Sequence, residues 1–267
     1  MRASETPERS APTVGDAGAN ADGAATASAG AVQATHPTVT EPARPAAIEV
    51  RGVGRRNPKG EGWLIRDVSV AVRPGDRLAV LGPSGAGKTV LLRALAMLDP
   101  LDAGEIHWRG HPVRGGSVPS YRKQVIYLHQ RPALLDGTVE DNLRHPFTLK
   151  AHQGTEFDRE RVLELLDCLD RDESFFGKSS RDLSGGEAQI VALLRAIQLD
   201  PGVLLLDEPT ASLDRATSRA VEGLLDRWLG AGRGGRALVW VSHDRDQAHR
   251  VTGRTMSLRA GRLEPEG

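Results

Sequence analysis

Three clusters of residues in this chain combine types and spacings suited to phosphate chemistry. The first is Gly82-Pro83-Ser84-Gly85-Ala86-Gly87-Lys88-Thr89, which fits G-x-x-x-x-G-K-[ST]. Its glycines let the backbone turn tightly, so that successive N–H groups converge on phosphate oxygens at a positive helix N-terminus. Lys88 would reach the β- and γ-phosphates of a nucleotide, and Thr89 would offer its hydroxyl to Mg²⁺. The second is Asp207-Glu208, closing the apolar run Val203–Leu206. Adjacent carboxylates at the end of a buried strand are costly unless hydrogen bonds, a cation or solvent compensate them. Mg²⁺ would do so for Asp207, directly or through water, and Glu208 would polarise the water that attacks the γ-phosphate. Alone, this pair reads equally well as an acidic helix cap; beside a phosphate loop the catalytic reading leads. The third cluster, Leu183-Ser184-Gly185-Gly186-Glu187, is ambiguous locally. Ser184 and Glu187 fit a capping box, while Gly185 and Gly186 weaken the first helical turn and leave its N–H groups bare. Capping and phosphate binding are compatible here.

These residues need strands that stop abruptly and helices that begin there. Arg77–Leu81, Val125–Leu128, Val203–Leu206 and Ala237–Val241 read as buried strands of a parallel sheet covered on both faces. Alternation at Ile48–Val53, Leu64–Val72 and Glu105–Trp108 reads as an antiparallel patch. Helices are expected at Lys88–Leu98, around Phe157–Leu169, at Ser184–Leu199 and around Thr217–Leu229. In the second, Val162, Leu165, Leu166 and Leu169 recur at i, i+3, i+4 and i+7.

Composition sets the frame. At about 150 residues per domain, 267 residues make one to two globular units. Residues 1–47 contain no Leu, Ile, Phe, Tyr or Trp and are expected to form a disordered tail. That tail lacks the apolar region of a secretory signal, and its acidic residues do not suit a transit peptide. The folded domain is expected over 48–264. Thirty-five Lys+Arg balance 35 Asp+Glu, which argues against a protein whose main task is neutralising nucleic-acid phosphates. One cysteine, Cys168, excludes an internal disulfide framework and any cysteine-built metal site. The apolar runs fall far below the roughly 18 residues of a membrane span, so a soluble chain is expected.

In order and spacing, Gly82–Thr89, Gln130, Leu183–Glu187, Leu204–Glu208, Ser212-Leu213-Asp214 and His243 resemble an ATP-binding cassette (ABC) ATPase. They are similar to its Walker A loop, Q-loop, signature, Walker B, D-loop and switch histidine respectively. The resemblance covers about residues 48–264. It implies an α/β P-loop NTPase core with a mostly parallel sheet, an antiparallel β-subdomain and an inserted helical subdomain. It implies that ATP and Mg²⁺ are the cofactors, with Thr89, Gln130 and Asp207 serving the metal. Gln130 would also contact the attacking water, and His243 the γ-phosphate. A head-to-tail homodimer is implied too, in which Ser184, Gly185, Gly186 and Glu187 complete the partner's site and Asp214 lies in the D-loop.

Two departures from the family pattern stand out. The aromatic residue that normally stacks on adenine should lie near Asn57, where the chain reads Gly54-Arg55-Arg56-Asn57; Arg55, Arg56 or Trp63 would have to substitute. Ile190 stands where the family usually carries a basic residue. With no spanning segment, the transport reading requires a separate integral-membrane permease and places this chain in the cytoplasm, peripheral to the inner face of the cell membrane. Coupling would pass through Arg131–Leu143, with Pro146 beyond it and Tyr121-Arg122-Lys123-Gln124 before it. That stretch resembles small bacterial ATPases of iron or metal export, and also those of phosphate and amino-acid import. Competing classes are a soluble ABC ATPase of DNA repair or translation, disfavoured by the single cassette without long inserts, and a P-loop kinase, in which Leu183–Glu187 would have no role. A catalytically dead scaffold is disfavoured by the presence of Lys88, Asp207, Glu208 and His243.

Overall fold

A computed structural model describes residues 45–232 and 235–266. The expected disordered tail lies, for residues 1–44, outside the described residues. The strands in chain order are β1 (Ile48–Arg56), β2 (Trp63–Val72), β3 (Arg77–Leu81), β4 (Ala103–Trp108), β5 (His111–Pro112), β6 (Val125–Leu128), β7 (Val203–Asp207), β8 (Ala237–Val241), β9 (Arg254–Arg259) and β10 (Arg262–Pro265). The α-helices are α1 (Lys88–Leu95), α2 (Val118–Gln124), α3 (Val139–Arg144), α4 (Arg159–Asp167), α5 (Gly185–Ile197), α6 (Arg215–Ala231) and α7 (Arg245–Val251).

Two sheets form. One has the order β2-β1-β4-β5 and is antiparallel throughout; the other runs β10-β9-β3-β8-β7-β6, parallel except for β10. Side chains alternate across a strand, and that period sorts the apolar runs onto two faces. In β7, Val203 and Leu205 join a core containing α1 and the antiparallel sheet, whereas Leu204 and Leu206 join a second core built from α3, α4, α5 and α6. Strand β8 divides likewise, with Ala237, Val239 and Val241 on the first side and Leu238 and Trp240 on the second. Covering both faces with helices is what makes these strands apolar without interruption.

The four expected buried strands are present, β7 being extended by Asp207, and the expected antiparallel patch matches β1, β2 and β4. The first expected helix stops early, at Leu95 rather than Leu98. Met97 takes a left-handed conformation (φ 54°), and the Leu98 N–H donates to the Arg93 carbonyl at 2.9 Å, closing the helix end. Glycine normally marks such a stop, so methionine gives no signal. Strands β9 and β10 join through Ala260 and Gly261, both at positive φ, the backbone of a two-residue hairpin turn. Among the described residues, no helix is long and apolar enough to cross a membrane.

Leu205 is fully buried in the central strand of this arrangement. Leu205→Ala is expected to lower unfolding free energy by about 3 kcal/mol, the cost of lost burial plus the cavity left behind, as read by chemical denaturation.

Candidate functional site

The strands β3, β8, β7 and β6 lie side by side in register, with Val80 opposite Val241, Asp207 opposite Val241 and Leu128 opposite Leu206. Their C-terminal ends are therefore level, and each is followed within two residues by one of the predicted set: Gly82 after β3, His243 after β8, Glu208 after β7 and Gln130 after β6. This is the edge at which open α/β sheets bind ligands. A cavity of about 490 Å³ opens there, lined by Ser84, Gly85, Gly87, Lys88, Thr89, Gln130, Asp207, Glu208 and His243 among others.

The phosphate loop is shaped by close backbone approaches. Gly87, the residue capping α1, has φ 101°, and a Cβ there would stand 2.7 Å from the Leu64 carbonyl oxygen. It offers no side-chain cap, and α1 carries no acidic residue in its first turn, so the helix N-terminus keeps its positive end for an external anion. Lys88 is buried, and its Nζ donates to the carbonyls of Gly82 at 2.8 Å and Pro83 at 3.1 Å. The ammonium is thus held over the loop that a phosphate would fill.

The two carboxylates are held differently. Asp207 is 4% exposed and accepts on Oδ2 from Thr89 Oγ1 at 2.7 Å and from the Tyr127 hydroxyl at 3.1 Å. Burial, then the negative charge of Asp207, pushes the Tyr127 phenol well above its ordinary pKa, so it stays a protonated donor. Glu208 accepts on Oε2 from Gln130 Nε2 at 2.9 Å, and His243 Nδ1 lies 3.3 Å from the same oxygen. Glu208 also sits at φ 48°, a left-handed backbone that costs energy for any residue but glycine. Strain of this kind collects where geometry matters for function.

Behind His243, helix α7 is anchored by a buried polar network. Gln247 Nε2 donates to Thr210 Oγ1 at 2.9 Å and to Glu222 Oε1 at 3.0 Å, and Arg250 clasps Glu222 with bonds of 3.0 and 2.7 Å. Sequence reasoning passed over Tyr127, Gln247 and Glu222. Nothing in their local spacing marks them, because their partners lie on other strands and helices.

Ser184, Gly185, Gly186 and Glu187 do not line this cavity. Of the two readings of this cluster, the capping box is the one observed. Ser184 caps α5, accepting from the Glu187 N–H at 3.2 Å, while Glu187 Oε2 accepts from the Ser184 N–H at 3.0 Å. Lys178 donates to Glu187 at 2.6 Å, and this bond, with the Ser184 backbone bond, holds the Glu187 carboxyl below its ordinary pKa. Ser184 and Gly185 remain exposed. Gly186 also has a reason within its own chain: a Cβ there would stand 2.9 Å from the Ser212 carbonyl oxygen. Asp214 caps α6 through bonds of 2.9 Å from the Ala216 and Thr217 N–H groups. Ile190 is buried in the second core, so an apolar side chain fits where a basic one was expected.

Of the three residues considered for adenine, Arg55 is committed to Asp102 at 2.7 Å. The Arg56 guanidinium lies over the Trp63 ring, 4.6 Å from its centroid, and Trp63 remains 36% exposed beside Leu64, which lines the cavity. The Arg131–Leu143 stretch folds back on itself around Asn142. Asn142, fully buried, accepts from the Leu135 N–H at 2.8 Å and donates to the carbonyls of Leu135 and Thr138 at 2.9 Å each. Next to it is a groove of about 370 Å³ whose walls include Pro132, Ala133, Pro146, Leu149 and Arg195.

A family model described as ABC transporter matches residues 65–211. The chain belongs to the ABC transporter family. Among its relatives is the probable iron export ATP-binding protein FetA of Escherichia coli, 34% identical over 188 residues, covering 70% of this chain and 81% of FetA. Another is the Fe(3+) ions import ATP-binding protein FbpC 3 of Rhodococcus jostii, 37% identical over 227 residues and covering 83% of this chain. The chain spans 61% or 62% of the length of several curated relatives it matches, FbpC 3 included. In three dimensions it is similar to a dimeric ATP-binding cassette bound to ADP and Pi in a post-hydrolysis state. That match has a TM-score of 0.72 and 25% identity, covering 82% of this chain and 99% of the other. The α/β P-loop NTPase architecture expected from the sequence is the fold of this ABC transporter family member.

Gly87→Ala combines a left-handed φ with a clash against backbone. It is expected to cost about 1–3 kcal/mol in stability by denaturant titration and to weaken nucleotide binding measured by fluorescence titration.

Proposed function

We propose that this chain is the ATP-binding and ATP-hydrolysing subunit of an ABC transporter, acting as a head-to-tail homodimer on a separate integral-membrane permease. The observation that carries this reading is the meeting of Lys88, Thr89, Gln130, Asp207, Glu208 and His243 in one cavity, while Ser184 and Gly185 stand exposed outside it. A second copy would bring Ser184, Gly185 and Gly186 to the γ-phosphate of ATP held by Gly82–Thr89. The dimeric cassette bound to ADP and Pi among the similar structures supports a dimer.

In this mechanism, Lys88 exchanges the Gly82 and Pro83 carbonyls for the β- and γ-phosphates. Glu208, oriented by Gln130 and His243, accepts a hydrogen bond from the attacking water and draws its proton. Gln130 and His243 then contact the water and the γ-phosphate from opposite sides of Glu208. The donor set suits Mg²⁺: a hydroxyl on Thr89 and a buried carboxylate on Asp207 that, among the described residues, pairs with no Lys, Arg or His. When held by Thr89 and Asp207, Mg²⁺ would offset the negative charge that develops on the phosphates.

For adenine, the Arg56–Trp63 stack is the surface on offer, Arg55 being occupied by Asp102. The groove beside Arg131–Leu143 is the proposed seat of a cytoplasmic helix of the permease, and in this reading the subunit works at the inner face of the membrane. Its lining contains Pro132, Pro146 and Leu149 and, among the described residues, no carboxylate. For the cargo we propose a metal ion of the iron class, with export as the first reading, supported by the printed name of FetA. Import is the second reading, favoured by the name of FbpC 3. No residue of the ATP site would touch the cargo.

Glu208→Gln is expected to bind ATP with undiminished affinity, to lose hydrolysis, and to accumulate as an ATP-bound dimer in size-exclusion chromatography. Undiminished phosphate release by this variant would defeat the role given to Glu208. Affinity capture on the tagged chain from detergent-solubilised membranes is expected to recover a polytopic permease, and recovery of nucleic-acid or ribosomal partners alone would overturn the transport reading.

A further inference from the structure

Asp207 is compensated by two hydroxyl groups acting on one oxygen. Thr89 donates to Oδ2 from the phosphate loop at 2.7 Å, and Tyr127 donates to the same Oδ2 at 3.1 Å from the neighbouring strand. Among the described residues no protein donor reaches Oδ1. The sheet register explains how Tyr127 comes to be there. Tyr127 is paired with Leu205 across the parallel strands β6 and β7, so it shares a sheet face with Leu205 and with Asp207 two residues on. The half-buried ring runs along that face and carries its hydroxyl to the carboxylate at the strand end. No motif of the sequence accounts for this contact.

We infer that Tyr127 is a positioning residue for the divalent cation proposed at Asp207. One donor would leave the carboxylate free to swing about its Cβ–Cγ bond. Two donors on Oδ2, arriving from different elements, fix the carboxylate plane and leave Oδ1 for the cation or for water bound to it. Partners of this outer kind orient metal-site ligands, and removing one typically lowers metal affinity by about 10- to 100-fold. The inference rests on the metal site proposed above.

Tyr127→Phe removes the hydroxyl and keeps the ring, so the strand face stays filled. Mn²⁺, as the probe, is titrated by electron paramagnetic resonance into the full chain saturated with a non-hydrolysable ATP analogue. The expected result is an Mn²⁺ dissociation constant about tenfold higher than that of the unmodified chain. Binding of the analogue in EDTA should stay unchanged. An Mn²⁺ affinity within about twofold of the unmodified chain would overturn the inference. So would a parallel fall in metal-free nucleotide binding, which would mark Tyr127 as a packing residue. If the unmodified chain bound no Mn²⁺ beside the nucleotide, the metal site itself would be wrong, which separates that failure from the first.

Discussion

Two carboxylates at the end of a strand buried along its whole length are the constraint around which this molecule is arranged. Strand β7 is buried on both faces, and its last residue, Asp207, is buried with it. A carboxylate in such a place must be met by donors. The adjoining elements supply them: Thr89 from the phosphate loop and Tyr127 from β6 for Asp207, and Gln130 after β6 for Glu208, with His243 after β8 lying 3.3 Å from the same Glu208 oxygen. The parallel register makes this possible, because it ends β3, β8, β7 and β6 at one level. An antiparallel neighbour would have presented its other end.

The same requirement accounts for where strain is kept. Glu208 departs from β7 in a left-handed conformation, and its N–H donates to the Val241 carbonyl at 3.1 Å. That bond ties the turn to β8, the strand that also leads to His243. On the far side, the Gln247–Glu222–Arg250 network fixes α7, and Thr210 joins it to the segment following Glu208. The residues around the proposed reaction are therefore braced from behind by polar groups that are themselves satisfied, as a preorganised site requires.

One chain carries two helix N-termini suited to phosphate, and they do not share a cavity. The end of α1 is uncapped by any side chain, whereas α5 is capped by Ser184 and Glu187 yet leaves Ser184 and Gly185 open to solvent. Separation of this sort is what the proposed dimer would exploit: in that reading each site would receive Ser184, Gly185 and Gly186 from another copy. Tyr127 adds a link in the other direction, since it lines the groove beside Arg131–Leu143 while its hydroxyl donates to Asp207.

Local order in the chain was enough to read the phosphate loop, the four core strands, the antiparallel patch and the capping box at Ser184. Each depends on neighbours within a few residues, on period-two burial or on a turn that glycine alone can make. The short elements escaped such reading. Helix α3 begins at a Thr138–Asp141 capping box that could have revealed it. Helix α1 ends on a left-handed Met97 and the β9–β10 hairpin turns on Ala260, where no residue type announces the bend. Long-range pairings were beyond reach for a different reason. Tyr127 meets Asp207 across 80 positions of sequence, and Gly186 meets Ser212 across 26, so these contacts exist only once the sheet and helices have set the register. Residue chemistry names the groups that can act on phosphate; folding alone chooses which oxygen each donor finds.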